Sequence, residues 1–107
     1  DYYETSPDGQ RAYVDTSENI LNTITIGIMH RRERLLQFGG FEEEMHFSEY
    51  DLLLRYLEEG LNGHHVPEPL FVYHRRTDSI TDDEDWVQEG KRELREKFGE
   101  DIEIREY

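Results

Sequence analysis

Within the stretch His46-Phe47-Ser48-Glu49-Tyr50-Asp51-Leu52, two carboxylates stand within three positions of a serine, just after a Gly-Gly-Phe turn. Ser48 followed three residues later by Asp51 fits a capping box in its acidic variant, which predicts a helix start here. With Ser48 as the N-cap, Glu49 is the first helical residue and Asp51 the third. Asp51 is then the acid that reaches back to the cap N–H, and its role is mostly structural. Glu49 points out of the helix end, where the helix dipole favours a carboxylate and where such a group can take a proton as a general base. Acids at helix starts are common, so capping alone is the competing reading of both.

A second cluster, His74-Arg75-Arg76, concentrates positive charge in an acidic chain where a strand gives way to a loop. Open α/β sheets bind ligands at strand ends, and arginine anchors phosphate through paired N–H donors. Charge balance against the acidic run Asp82 to Asp85 explains the same residues equally well. His64 and His65 are adjacent and point to opposite faces of an extended segment, so as a pair they form no two-ligand clamp. His74 alone reads either as a solvated histidine or as a ligand. The chain has no glycine-rich phosphate loop, no nucleophilic serine motif and no zinc spacing.

These groups must be positioned by a chain of 107 residues, enough for one domain with a single core. Hydrophobic residues make up 35% of it. Twenty-six acids against twelve Lys and Arg give a net charge of −14, a field that repels a phosphate backbone or an anionic membrane. Nucleic acid is therefore not an expected partner, and the seven Tyr and five Phe read as core and sheet surface. The absence of cysteine excludes disulfide scaffolds, cysteine–zinc sites and thiol nucleophiles, and is compatible with a reducing cytoplasm, the expected location. The apolar runs fall short of the roughly 18 residues a membrane span requires. No signal peptide is recognisable, and the start at Asp1 suggests a piece of a longer polypeptide.

Along the chain, Pro7-Asp8-Gly9 is a turn that predicts a hairpin with strands near Tyr2–Glu4 and Ala12–Asp15. Three Ile and two Thr predict a strand between Thr23 and Met29. From Arg31 the composition favours a short helix ending at Gly39-Gly40, and the helix opened by Ser48 ends before Gly60, with Tyr50, Leu53, Leu54 and Leu57 on one face. Pro67 and Pro69 exclude the first half of the next segment from a central strand, leaving "LFVYH" as the strand proper. Thr81 with Glu84 is a second capping box, and acids first and bases last predict a helix over about 82–98 with Val87, Leu94 and Phe98 buried. The fold class is α/β, with some antiparallel pairing.

Taken in order, "MHRRERLLQFGGFEEEMHFSEYDLLLRYLEEGLNGHHVPEPLFVYHRRTDSIT" resembles the C-terminal half of family 2 inverting glycosyltransferases of the GT-A fold. Members of that family carry Gly-Gly-Phe-Asp-Glu, then Glu-Asp-x-Asp-Leu-x-x-Arg, then a Gly, Val-Pro-Glu-Pro-Leu, a Tyr-Arg-x-His strand end and Ser-x-Thr. The similarity covers about residues 24 to 81, and "DYYETSPDGQ" looks like the hairpin that precedes it. The resemblance implies a partial GT-A-like mixed sheet with flanking helices, and transfer of a sugar from a nucleotide-sugar donor to an acceptor hydroxyl with inversion. It also implies a divalent metal, Mn or Mg, at the departing diphosphate.

Residue by residue, the family's base falls on Glu49, Ser48 replaces the preceding Glu, and Asp51 takes the Asp before Leu. At the strand end the family's Arg falls on His74 and its His on Arg76. Either His74 serves metal and diphosphate from a shifted position, or Arg76, beside Arg75, neutralises the diphosphate directly. The family's nucleotide-binding half, with its Asp-x-Asp metal motif, is missing from this chain. The isolated piece is therefore expected to fold at least partly, to bind no metal and to turn nothing over, while a longer parent does. The rival expectation is a non-catalytic glycosyltransferase-like module that pairs with other proteins through an open sheet edge, and exposed half-sheet surface makes weak self-association plausible.

Overall fold

The computed structural model describes residues 1–17, 27–80 and 83–102. Two strands, β1 (Tyr2–Thr5) and β2 (Arg11–Val14), are followed by helices α1 (Arg32–Gln37) and α2 (Ser48–Glu58), strand β3 (Val72–His74) and helix α3 (Glu84–Phe98). The described residues thus form a small α/β domain with a three-stranded sheet in the order β2-β1-β3. β1 runs antiparallel to β2, with Tyr3 opposite Tyr13, and parallel to β3, with Thr5 opposite His74. A parallel pair cannot be closed by a tight turn, and the long excursion through α1 and α2 supplies the crossover.

The hairpin turn forms for local reasons. Gly9 takes φ 88°, the left-handed region that glycine enters without penalty, and the Ser6 N–H donates to the Gln10 carbonyl at 2.8 Å. The Ser6 hydroxyl and then the Gln10 N–H hold the Asp8 carboxyl below its ordinary range. On the sheet, Tyr2 is fully buried and stacks on Phe71 with ring centroids 5.0 Å apart.

The main core lies between α2 and α3. Phe47, Tyr50 and Leu54 meet Val87 and Leu94, with Met45, Trp86, Phe98 and Ile102 packed at the margin. Val87, Gly90, Lys91 and Leu94 are the buried residues of α3, spaced three and four apart as one helix face demands. α2 buries Leu52, Leu53 and Leu54 in succession, so it is covered over a wide arc, whereas Leu57 is 56% exposed. The expected stripe through Leu57 is corrected accordingly: its last position lies beyond the packed part of the helix.

Both helix starts differ from the capping boxes expected. α2 has Phe47 at its N-cap position and no side-chain cap hydrogen bond. Phe47 is drawn into the core, and the Asp51 carboxylate is engaged elsewhere, so neither half of the box from Ser48 to Asp51 forms. At α3 the cap is Asp83, whose carboxylate accepts from the Trp86 N–H at 3.2 Å. Thr81 lies outside the described residues, as does most of the strand expected between Thr23 and Met29. Gly27 to Met29, the described end of that stretch, are in a turn and an irregular segment. Among the described residues no helix is long and apolar enough to cross a membrane.

Gly90 has no room for a side chain. A Cβ there would lie 2.6 Å from two ring atoms of Phe47 and 3.1 Å from the His46 Cβ. Gly90→Ala is therefore expected to destabilise the chain, because overpacking of about 1–3 kcal/mol outweighs the roughly 1 kcal/mol that alanine returns in helix preference. Urea unfolding checks this: a lowered midpoint is expected, and a raised one contradicts the packing described.

Candidate functional site

The two acids at the start of α2 have opposite environments. Asp51 is wholly buried, at 0% exposure. Its Oδ2 accepts from Arg55 Nε at 3.0 Å and its Oδ1 from Lys97 Nζ at 2.6 Å. Arg55 also donates from Nη1 to the Phe38 carbonyl at 2.6 Å and from Nη2 to the Gly40 carbonyl at 2.7 Å. Those carbonyls are presented by the turn after α1, where Gly39 and Gly40 take φ 77° and 73°. One carboxylate thereby joins α2 to α3, and through Arg55 to the Gly-Gly turn. Asp51 has each oxygen committed and none exposed, an arrangement suited to holding elements together rather than to receiving a proton from a substrate.

Glu49 is exposed, and the Ser48 hydroxyl donates to its Oε2 at 3.4 Å. It lines an open cleft of about 190 Å³ together with Ile28, His30, Phe41 and Leu53. His30 is held by a 3.2 Å hydrogen bond between Nδ1 and the Tyr56 hydroxyl, and its ring meets Phe41 edge-on with centroids 6.3 Å apart. The cleft thus offers a solvent-facing carboxylate, an oriented imidazole and an apolar floor. Phe41 belongs to the segment after Gly40, so the Arg55 clamp on the Gly40 carbonyl also fixes one wall of this cleft. Sequence reasoning missed His30 and Phe41, because only the packing of α2 against the segment before it brings them beside Glu49.

The strand-end cluster stands apart from that cleft, whose lining includes none of its three residues. His74 closes β3 and is exposed. The Arg75 N–H donates to the Thr5 carbonyl at 2.9 Å, and its guanidinium lies 3.7 Å from Glu4. Arg76 is 72% exposed and pairs loosely with Asp78 at 3.7 Å, a contact worth little in water. The expected metal role of His74 finds no further ligand group among the described residues. Among the described residues one group of three His, Asp or Glu side chains brings its ligand atoms within 4.8 Å, namely Asp1, Asp15 and His65, and His74 is not part of it. His74 is followed by two arginines, whose positive charge disfavours a cation beside it.

A further ionic contact ties the start of α2 to α3. The His46 N–H donates to Glu93 Oε1 at 2.9 Å, and its imidazole Nδ1 lies 3.0 Å from the same oxygen. On the outer face of α3, Arg92 bridges Glu89 and Glu96, and its hydrogen bonds hold the Glu89 carboxyl below its ordinary range.

The contrast between the two acids is directly measurable. Asp51→Asn removes the anion from beneath Arg55 and Lys97 and is expected to cost about 3 kcal/mol, the low end for breaking a buried pair because both cations keep some contact with water. Glu49→Gln is expected to stay within roughly 0.5 kcal/mol of the parent chain, as surface substitutions do. Urea unfolding of both variants reads the difference, and equal losses would contradict it. No family model, curated protein or solved structure matches the chain.

Proposed function

We propose that this chain is the acceptor-side half of an inverting glycosyltransferase of GT-A type, with Glu49 as the base. The observation that carries the reading is the placement of Glu49: exposed at the start of α2 and lining a cleft. The ordered resemblance over about residues 24 to 81 supports it, since that resemblance puts the base at the same position.

In the proposed reaction the acceptor hydroxyl gives its proton to the Glu49 carboxylate. Its oxygen bonds to the anomeric carbon from the face opposite the leaving group, and the bond between that carbon and the diphosphate oxygen breaks, its electron pair leaving with the diphosphate. His30 and Phe41 would border the acceptor. In the separate strand-end cluster Arg76, the more exposed of the two arginines, is the cation available to a diphosphate. A divalent ion would supply further charge neutralisation there, but the described residues form no group of three ligands that includes His74. Its oxygen ligands would have to come from a preceding nucleotide-binding half.

A second reading, a non-catalytic glycosyltransferase-like module, is favoured by two observations. Ser48 stands where the family has an acid, and among the described residues β3 is an edge strand, with its own Val72 and the preceding Leu70 exposed. A nucleotide-sugar donor screen on the longer parent protein, with Glu49→Gln alongside, separates the two. Turnover by the parent and a loss of about 10²–10⁴-fold in the variant are expected, the usual contribution of a general base. Unchanged turnover in Glu49→Gln removes Glu49 from the base role, and a parent that transfers no sugar favours the module.

A further inference from the structure

Away from the cleft, three side chains distant in sequence converge where the hairpin meets the segment leading to β3. His65 Nε2 lies 2.5 Å from Asp1 Oδ1 and 3.8 Å from Asp15 Oδ1. The ligand atoms of all three lie within 4.8 Å of one another. The Asp1 side chain is only 3% exposed, whereas Asp15 is 60% exposed and His65 32%.

The Asp1 carboxylate is oriented by donors outside this triad. Its Oδ1 accepts from the Thr16 N–H at 3.1 Å and the Thr16 hydroxyl at 3.2 Å, and its Oδ2 from the Tyr13 hydroxyl. The Pro67 carbonyl, 3.1 Å from the Tyr13 hydroxyl, is an alternative acceptor for the same proton and lies in the loop that carries His65. Such hydrogen bonding is what fixes a ligating carboxylate in a metal site. Ser17 does the same for Asp15, donating from its N–H to Oδ1 at 2.8 Å.

One Nε2–H serves one close acceptor, Asp1, and Asp15, 3.8 Å from the same nitrogen, accepts from the Ser17 N–H instead. A cation between the three would replace the His65–Asp1 hydrogen bond and draw on the imidazole lone pair and one oxygen of each carboxylate. Tetrahedral zinc with bonds of about 2.0–2.1 Å sets its ligand atoms roughly 3.3 Å apart. The two separations at His65 Nε2 bracket that value, and the Asp15 side chain, 60% exposed, has room to close the remaining distance once its hydrogen bond from Ser17 gives way.

We propose that Asp1, Asp15 and His65 form a divalent transition-metal site, for which zinc is the best fit, with the fourth position open to water. An imidazole with two carboxylates suits zinc better than magnesium, which prefers oxygen ligands and ideal octahedral geometry. Two carboxylates balance the ion's charge, and a chain of net charge −14 attracts cations. The bound ion would pin the start of β1, the end of β2 and the approach to β3 to one point. The histidine pair His64-His65 gives no hint of this in sequence, because the partners of His65 come from the hairpin and not from its neighbour. The site is independent of the glycosyltransferase reading.

Calorimetric titration of the 107-residue chain with zinc chloride, with magnesium chloride in parallel, tests it. The expected result is one zinc per chain, a raised unfolding temperature with zinc, and no saturable magnesium binding. Asp15→Asn and His65→Gln should each weaken zinc binding at least about tenfold, while metal-free Asp15→Asn should unfold with the metal-free parent chain because Asp15 is largely exposed. No saturable zinc binding, equal affinity in the variants, or magnesium bound in preference to zinc would each overturn the proposal. If His65→Gln does not fold, Asp15→Asn decides alone.

Discussion

A carboxylate with no exposure to water, held by two cations, organises the described part of this molecule. Asp51 faces Arg55 one turn along its own helix and Lys97 near the end of α3. Removing such a charge from water is costly, and the cost is met only where each oxygen finds a donor of good geometry. Here each does. Arg55 also donates one N–H from each terminal nitrogen to the main-chain carbonyls of Phe38 and Gly40, in the turn where Gly39 and Gly40 take positive φ. The end of α1, the turn at residues 39 and 40 and, next to it, Phe41 are thus linked to one buried anion.

The same constraint divides labour between neighbouring acids. Asp51 is used up in holding α1, α2 and α3 in register, and Glu49, two residues earlier and on another face, is left at the cleft with His30 and Phe41. A scaffold that locks one carboxylate while leaving the next solvent-facing is what a positioned base requires, since the base must approach a substrate yet be held by rigid elements. The proposal of sugar transfer rests on that division, together with the order of motifs from the Gly-Gly turn to the strand end.

Much of the fold was legible in the sequence because it is set locally. Pro7-Asp8-Gly9 makes its turn from the φ preferences of its own residues, and the acids before and bases after the middle of α3 mark that helix through the dipole. Gly60 and Gly99 follow their helices as expected of glycines that accept positive φ. What was not legible depends on distant partners. Ser48 and Asp51 have the spacing of a capping box, but the attraction of Arg55 and Lys97 for Asp51 and the burial of Phe47 in the core override that local preference. Leu57 keeps helical phase with Leu53 and Leu54 yet stays exposed, because phase says which face it occupies and not how far the neighbouring core extends. The convergence of Asp1, Asp15 and His65, and that of His30 with Glu49, required the strand register and the loop paths that sequence spacing does not encode.

The central claim is that Asp51 and Arg55 act as one buried unit on which the cleft geometry depends, and a double-mutant cycle tests it most directly. Unfolding free energies of the parent chain, Asp51→Asn, Arg55→Gln and the double variant give the coupling between the two side chains. The account predicts a coupling of about 1–3 kcal/mol, as for residues sharing one ion-pair network. Additive losses, with a coupling near zero, would contradict it.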